Sequence, residues 1–122
     1  MNIYDKLYDL TNTIKNSAEF QRYKYAAAKV EENPTHAQML KDYLTVQTQI
    51  YMAKTMGTEP PQNVIDQFNM LYTSVSNIES INEFMQAQAY FSSIMDDVMK
   101  AISETVKIDA SFMDIYPEGL FD

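Results

Sequence analysis

The chain has 122 residues, no cysteine and a formal net charge of -8, from nine Lys and Arg against seventeen Asp and Glu. This length suits one domain with a modest core, and the negative charge repels nucleic-acid phosphates and anionic lipid headgroups. Without cysteine there is no disulfide, thiolate nucleophile or cysteine-ligated metal cluster. We therefore expect no direct nucleic-acid binding, no membrane binding and no cofactor.

Two helices are predicted in the N-terminal part of the chain. Apolar residues recur every three or four positions from Ile3 to Ile14, which is typical of an amphipathic helix that stops near residue 16. Ser17 can cap a second helix, which should end by Glu32 because Pro34 disfavours helical geometry at the residue before it. No basic segment followed by an apolar run opens the chain, and no stretch approaches ~18 apolar residues, so a soluble cytoplasmic protein is predicted.

The third helix is predicted to be long, covering about residues 36–56. Thr35 and Gln38 match a capping box, in which both side chains satisfy free backbone donors at the start of a helix. Gly57 supplies the left-handed residue that commonly ends one. A fourth helix follows a proline pair, with these apolar residues directed inward: Val64, Phe68, Leu71 and Val75.

The fifth helix is predicted at about residues 81–107, after a second capping box formed by Ser80 and Glu83. It carries a heptad seam, a stripe whose members alternate at three and four positions: Ile81, Phe84, Gln88, Phe91, Met95, Val98 and Ile102. A seam of about three heptads on a helix roughly 40 Å long is longer than a small domain can cover, so it indicates a partner.

These elements predict an all-α fold of about five helices in antiparallel hairpins. The two long helices would pack as a bundle or coiled coil. Residues 1–110 would form a single helical domain, and residues 111–122 an acidic-hydrophobic C-terminal tail.

No catalytic residue or metal ligand is predicted. The single histidine, His36, has Asn33 three positions before it, so the Glu-x-x-His pairs of a di-iron bundle are absent. No serine stands in a Gly-x-Ser-x-Gly turn, and two glycines are too few for a phosphate-binding loop. We therefore expect a protein that is not an enzyme.

Contacts with other proteins are the expected function. Nine methionines and nine tyrosines supply adaptable and amphipathic surface. The first hypothesis is a non-catalytic homo-oligomeric adaptor, a dimer or tetramer that also contacts an unidentified protein. The alternative is a helical bundle that binds a small apolar ligand. The predicted interface comprises Tyr43, Gln47, Ile50, Phe84, Gln88, Phe91, Met95, Val98 and Ile102.

Several segments resemble the YlbF/YmcA family of small bacterial helical proteins, and most closely its cysteine-free, YheA-like branch. The similarity covers roughly residues 2–108. It is carried by Asn2-Ile3-Tyr4-Asp5, Glu19-Phe20 with Tyr23, Asn33-Pro34 with Ala37, Met39 to Tyr43, Glu83 to Ser92, Met95, Asp97-Val98 and Ala101-Ile102.

The resemblance implies an all-α protein that self-associates through its long helices in the bacterial cytoplasm. Better-known relatives form a complex that influences competence, sporulation, biofilm formation and RNA processing through an endoribonuclease, and they act by contact. Those relatives carry cysteines implicated in iron–sulfur binding. This chain has no cysteine, so no cofactor role is carried over to it.

Overall fold

The structure is a computed structural model that describes residues 2–115. Its α-helices are α1 (Ile3–Lys15), α2 (Ala18–Glu31), α3 (Pro34–Thr55), α4 (Gln62–Ser76) and α5 (Glu79–Val106). A 3-10 turn at Ser111–Ile115 follows, and no strand occurs within residues 2–115. The predicted all-α fold with two long helices is confirmed. Residues 116–122 of the predicted tail lie outside the described residues.

The boundary between α1 and α2 follows the predicted cap. The Ser17 Oγ accepts a hydrogen bond from the Phe20 backbone N–H at 3.2 Å. This satisfies one of the donors that the first turn of α2 leaves without a partner. The predicted N-cap at Ser17 is confirmed, as is the end of the second helix before residue 33.

The predicted capping box at the start of α3 is wrong. Asn33 is the N-cap, and its Oδ1 accepts hydrogen bonds from the backbone N–H groups of Thr35 at 3.0 Å and His36 at 3.2 Å. The reason is Pro34, which is favoured in the first turn and holds the residue before it extended, as an N-cap requires. Gln38 instead donates to a carboxylate one turn further along the helix.

The predicted end of α3 is confirmed in detail. Gly57 has a φ of +76°, the left-handed conformation that glycine adopts without steric cost. Its N–H donates to the Lys54 carbonyl at 3.1 Å, and the Thr58 N–H donates to the Ala53 carbonyl at 2.9 Å. This pair of hydrogen bonds is a Schellman motif, which satisfies two carbonyls at the helix end.

The second predicted capping box is also wrong, because α5 begins before it, at Glu79. The Asn82 backbone N–H donates to the Ile78 carbonyl at 3.0 Å, and the Asn82 side chain donates to the Ser76 carbonyl at 2.6 Å. Ile78 packs against the core and Ile81 is fully buried. Helical geometry is therefore already established when the chain reaches the predicted cap.

The chain divides into two compact units, Met1–Gln88 and Ala89–Asp122. In the first unit, connections of a few residues join consecutive helices, as in predicted helical hairpins. Its core draws on α2, α3, α4 and the start of α5, with these buried members: Ala26, Val30, Leu40, Tyr43, Val75, Ile81, Phe84 and Ala87. The second unit contains residues 89–106 of α5 and the 3-10 turn.

Candidate interaction surfaces

The predicted interface residues on α3 lie in three different environments. Tyr43 is buried, with its ring stacked on Phe68 at a centroid separation of 5.3 Å and tilted against Tyr72 at 6.2 Å. Gln47 is exposed and its Nε2 donates to the Tyr43 Oη at 3.4 Å, whereas Ile50 is half-buried. The predicted interface set on α3 therefore combines one core tyrosine with two residues that are at least partly accessible to solvent.

The buried Tyr43 hydroxyl has a raised pKa. Burial is the first cause, because it disfavours the phenolate, and the nearby Tyr72 adds to it. The ring is consequently a neutral, packed part of the α3–α4 contact and does not supply a charge.

The predicted interface residues at the start of α5 belong to the first unit. Phe84 is 7 % exposed, and its ring lies 5.6 Å from that of Tyr23. Gln88 is half-buried. Since Phe84 and Tyr43 are buried within a single chain, neither ring offers a second copy a broad contact surface.

The remaining predicted interface residues lie along residues 89–106 of α5. Phe91, Met95 and Val98 are half-buried, and Ile102 is 48 % exposed. Two neighbours that were not among the predicted residues, Met99 and Val106, are 56 % and 51 % exposed. They stand seven residues apart beside the seam, so their heptad spacing was the signal that could have identified them.

At 100° per residue, apolar residues cover one side of this segment. We call this surface the α5 face and define it by Phe91, Ile94, Met95, Val98, Met99, Ile102 and Val106. The charged residues Asp96, Asp97, Lys100 and Glu104 fall on the opposite arc. An apolar stripe this broad is wider than a strict coiled-coil seam and is typical of a helix that packs this side against other apolar surface.

A second apolar stripe lies on α1, which contains none of the predicted interface residues. Ile3, Leu7 and Leu10 are exposed and Ile14 is half-buried, so no residue of α1 is buried. We call these four residues the α1 stripe. Because three of its four members are exposed, most of this stripe is open to solvent or to a partner.

A groove with a volume of about 1000 Å³ lies between α2 and α3 in the first unit. Its apolar lining comprises Tyr23, Ala27, Val30, Ala37, Leu40, Leu44 and Phe84. Its polar lining comprises Glu31, Gln38, Lys41, Thr45, Thr48 and Gln49. An apolar floor between polar edges is the arrangement with which helical proteins bind an amphipathic helix.

Charged residues on the described surface of the first unit form two weak ion pairs. Arg22 and Glu83 approach to 3.9 Å, and Lys29 and Glu32 to 3.6 Å, but all four side chains are about half exposed or more. Pairs of this kind contribute little, because water screens them. His36 lies beside Arg22 and Lys29 in a smaller depression, and its backbone N–H donates to the Asn33 cap.

Within residues 2–115, no cluster of three or more His, Asp or Glu side chains is arranged to hold a metal ion. In the same part of the chain, no helix combines the length and apolar character needed to cross a bilayer.

Comparison with known proteins adds an independent observation. The family model described as "Control of competence regulator ComK, YlbF/YmcA" matches residues 3–107. A UPF0342 protein of Caldicellulosiruptor saccharolyticus is 30% identical over 107 residues, which cover 88% of this chain and 89% of that protein.

Two further relatives extend the similarity. A UPF0342 protein of Clostridium tetani is 26% identical over 112 residues, covering 92% of this chain and 97% of its own length. The UPF0342 protein YheA of Bacillus subtilis is 26% identical over 107 residues, which cover 88% of this chain and 92% of that protein. No solved structure gives a significant match.

Proposed function

Because the chain belongs to the YlbF/YmcA family, whose model describes control of the competence regulator ComK, we propose that it is a non-catalytic, homo-oligomeric adaptor that acts through protein contacts in regulation of this kind. The proposal places the protein in the bacterial cytoplasm. It has two parts: copies of the chain associate with one another, and the assembled surface contacts a further protein.

The observation that carries the proposal is the α5 face. Met99, Ile102 and Val106 are each about half exposed, and they extend a stripe whose other members are half-buried. Contiguous apolar surface of this kind is costly in water and marks interaction sites. A second copy of the same helix offers a matching stripe, and a two-fold axis would bury both.

The electrostatics favour protein over nucleic acid as the partner. The chain carries a net charge of -8, and the charges on residues 89–106 include three carboxylates against one lysine. A phosphate backbone would meet repulsion here, without the lysines and arginines whose counterion release drives nucleic-acid affinity.

The groove is a poor fit for the alternative function, the binding of a small apolar ligand. The α2/α3 groove is open to solvent and bordered by six polar side chains, whereas small-molecule sites surround most of the ligand. An open groove with an apolar floor suits an amphipathic helix better.

The experiment is size-exclusion chromatography with light scattering on the purified chain across a concentration series. Self-association predicts a mass of two or four times the 14.1 kDa chain. A mass of 14.1 kDa at every concentration would contradict the proposal. Measurable affinity for a short RNA at low salt would contradict the second part of the proposal, that the partner is a protein, because RNA would then be an alternative partner.

A further inference from the structure

We propose that the α2/α3 groove of one copy receives helix α1 of a second copy, and that the exchange is reciprocal. The inference rests on the proposed self-association but concerns surfaces other than the α5 face. Both surfaces belong to the first unit, and both are apolar and open. The residues that line the groove come from α2, α3 and α5, so α1 of the same chain does not fill it.

The dimensions of the two surfaces match. The groove extends along α3 from Pro34 to Gln49, about 22 Å at 1.5 Å per residue. The α1 stripe runs from Ile3 to Ile14, about 16 Å on the same scale. Its members are spaced by four, three and four residues, which places them on one side of the helix as anchors for a groove.

Charge distinguishes α1 from the other apolar segment that could occupy the groove. The groove carries one charge of each sign, Glu31 and Lys41, and α1 carries two acidic and two basic residues. Residues 109–122 are also rich in apolar side chains, but they contain four acidic residues and no Lys or Arg. A groove without excess positive charge gives that acidic segment no electrostatic attraction, whereas a balanced helix meets no repulsion.

The contact area reaches that of a stable interface only if the exchange is reciprocal. A helix of this length buries roughly 400 Å² when half of its surface is covered, and the groove loses a similar area. Each copy would then bury roughly 800 Å², the size of a standard protein interface. Reciprocal exchange also closes the assembly around a two-fold axis and prevents open chains.

The absence of cysteine makes cross-linking a clean test, because every introduced thiol is the only one in its chain. We would mix the variants Leu7→Cys and Thr45→Cys, oxidise them mildly and detect the mixed disulfide by intact mass spectrometry. Both positions are exposed, so the substitutions should preserve the fold, which circular dichroism checks. The matched control is Asp9→Cys mixed with Thr45→Cys, since Asp9 is exposed on the other side of α1.

The inference predicts that Leu7→Cys couples to Thr45→Cys roughly 100-fold faster than the Asp9 control, because docking gives an effective thiol concentration near millimolar against roughly ten micromolar chains. Equal rates would overturn it. Preferential coupling of Phe112→Cys to Thr45→Cys would also overturn it, by assigning the groove to the C-terminal segment. If light scattering gives a multimeric mass but the two disulfide pairs form at equal rates, only this inference is overturned. If light scattering gives the mass of a single chain, the proposed self-association is overturned as well.

Discussion

The two parts of α5 carry one apolar seam but differ in how far it is buried. Residues 79–88 contain Ile81, Phe84 and Ala87, all buried in the core of the first unit. In residues 89–106 the same seam continues with half-buried residues and ends at Ile102, which is 48 % exposed. The comparison shows that a heptad seam identifies which side of a helix is apolar, but not whether that side is covered by the same chain or by another.

The two parts of α5 should therefore contribute to stability in different ways. The buried part should stabilise each folded chain at any concentration, because its apolar area is removed from water by folding alone. The exposed part should contribute only when chains associate, since mass action links binding to stability. The substitutions that follow test this separation.

The largest effect is expected for Ile81→Ala. Ile81 has no exposed surface, so the substitution removes buried methyl groups and leaves a cavity. We expect the free energy of unfolding to fall by about 2–5 kcal/mol. Urea denaturation measures this loss, which should be the same at every chain concentration. A cost that vanished on dilution would mean that this part of α5 also depends on a partner.

A smaller and conditional effect is expected for Ile102→Ala. In dilute, unassociated chains the side chain is half exposed, so its truncation should cost less than about 0.5 kcal/mol. In the assembled protein it would cost about 1–2 kcal/mol per copy, because the lost methyl groups are then buried. Denaturation at low and high concentration measures both values. Identical costs would contradict the separation between the two parts of α5.

The core tyrosine gives a pH-dependent prediction. Burial, with a contribution from Tyr72, raises the pKa of Tyr43 above its ordinary value of 10.0. The folded chain therefore holds this proton more tightly than the unfolded chain. The resulting stability is fully present below pH 10.0 and decreases as the pH rises from there through the folded pKa.

Tyr43→Phe is the matched variant, because it keeps the ring and removes the titrating hydroxyl. Above pH 10 the free energy of unfolding should fall more steeply for the native chain than for this variant. Parallel pH profiles would show that Tyr43 is accessible to water as the phenolate, contrary to its burial in the core.

The smallest effect is expected for Glu83→Gln. Its carboxylate lies 3.9 Å from Arg22, but both side chains are largely exposed. Removing the charge should change the free energy of unfolding by less than about 0.5 kcal/mol, since exposed ion pairs are screened. Denaturation at low and high salt measures it. A loss comparable to that of Ile81→Ala would mean that charge, and not burial, holds the start of α5.

Local signals allowed much of the fold to be predicted from sequence. Ser17 and Gly57 perform the capping roles expected of them, because each acts on neighbouring backbone groups. Thr35 and Ser80 also match a capping pattern, but stronger local constraints precede them. Pro34 holds Asn33 extended at the start of α3, and Ile78, which packs against the core, directly precedes the first residue of α5.

The candidate surfaces were only partly predictable, because exposure depends on residues distant in the sequence. Tyr43 and Ile102 both lie on predicted stripes, yet only Ile102 is available to a partner. Met99 and Val106 widen the α5 face, but they lie beside the seam and so fall outside a search restricted to seam positions. The α2/α3 groove arises from the packing of two helices, which no single helical pattern describes.

The most direct test compares the masses of Ile102→Glu and Ser93→Glu with that of the native chain, by light scattering at one concentration. Both substitutions add a single carboxylate to an exposed position of α5, but only Ile102 lies on the α5 face. A carboxylate buried without a partner is costly, so Ile102→Glu should have a lower mass than the native chain, while Ser93→Glu should match it. Equal masses for all three multimeric proteins would contradict association through the α5 face.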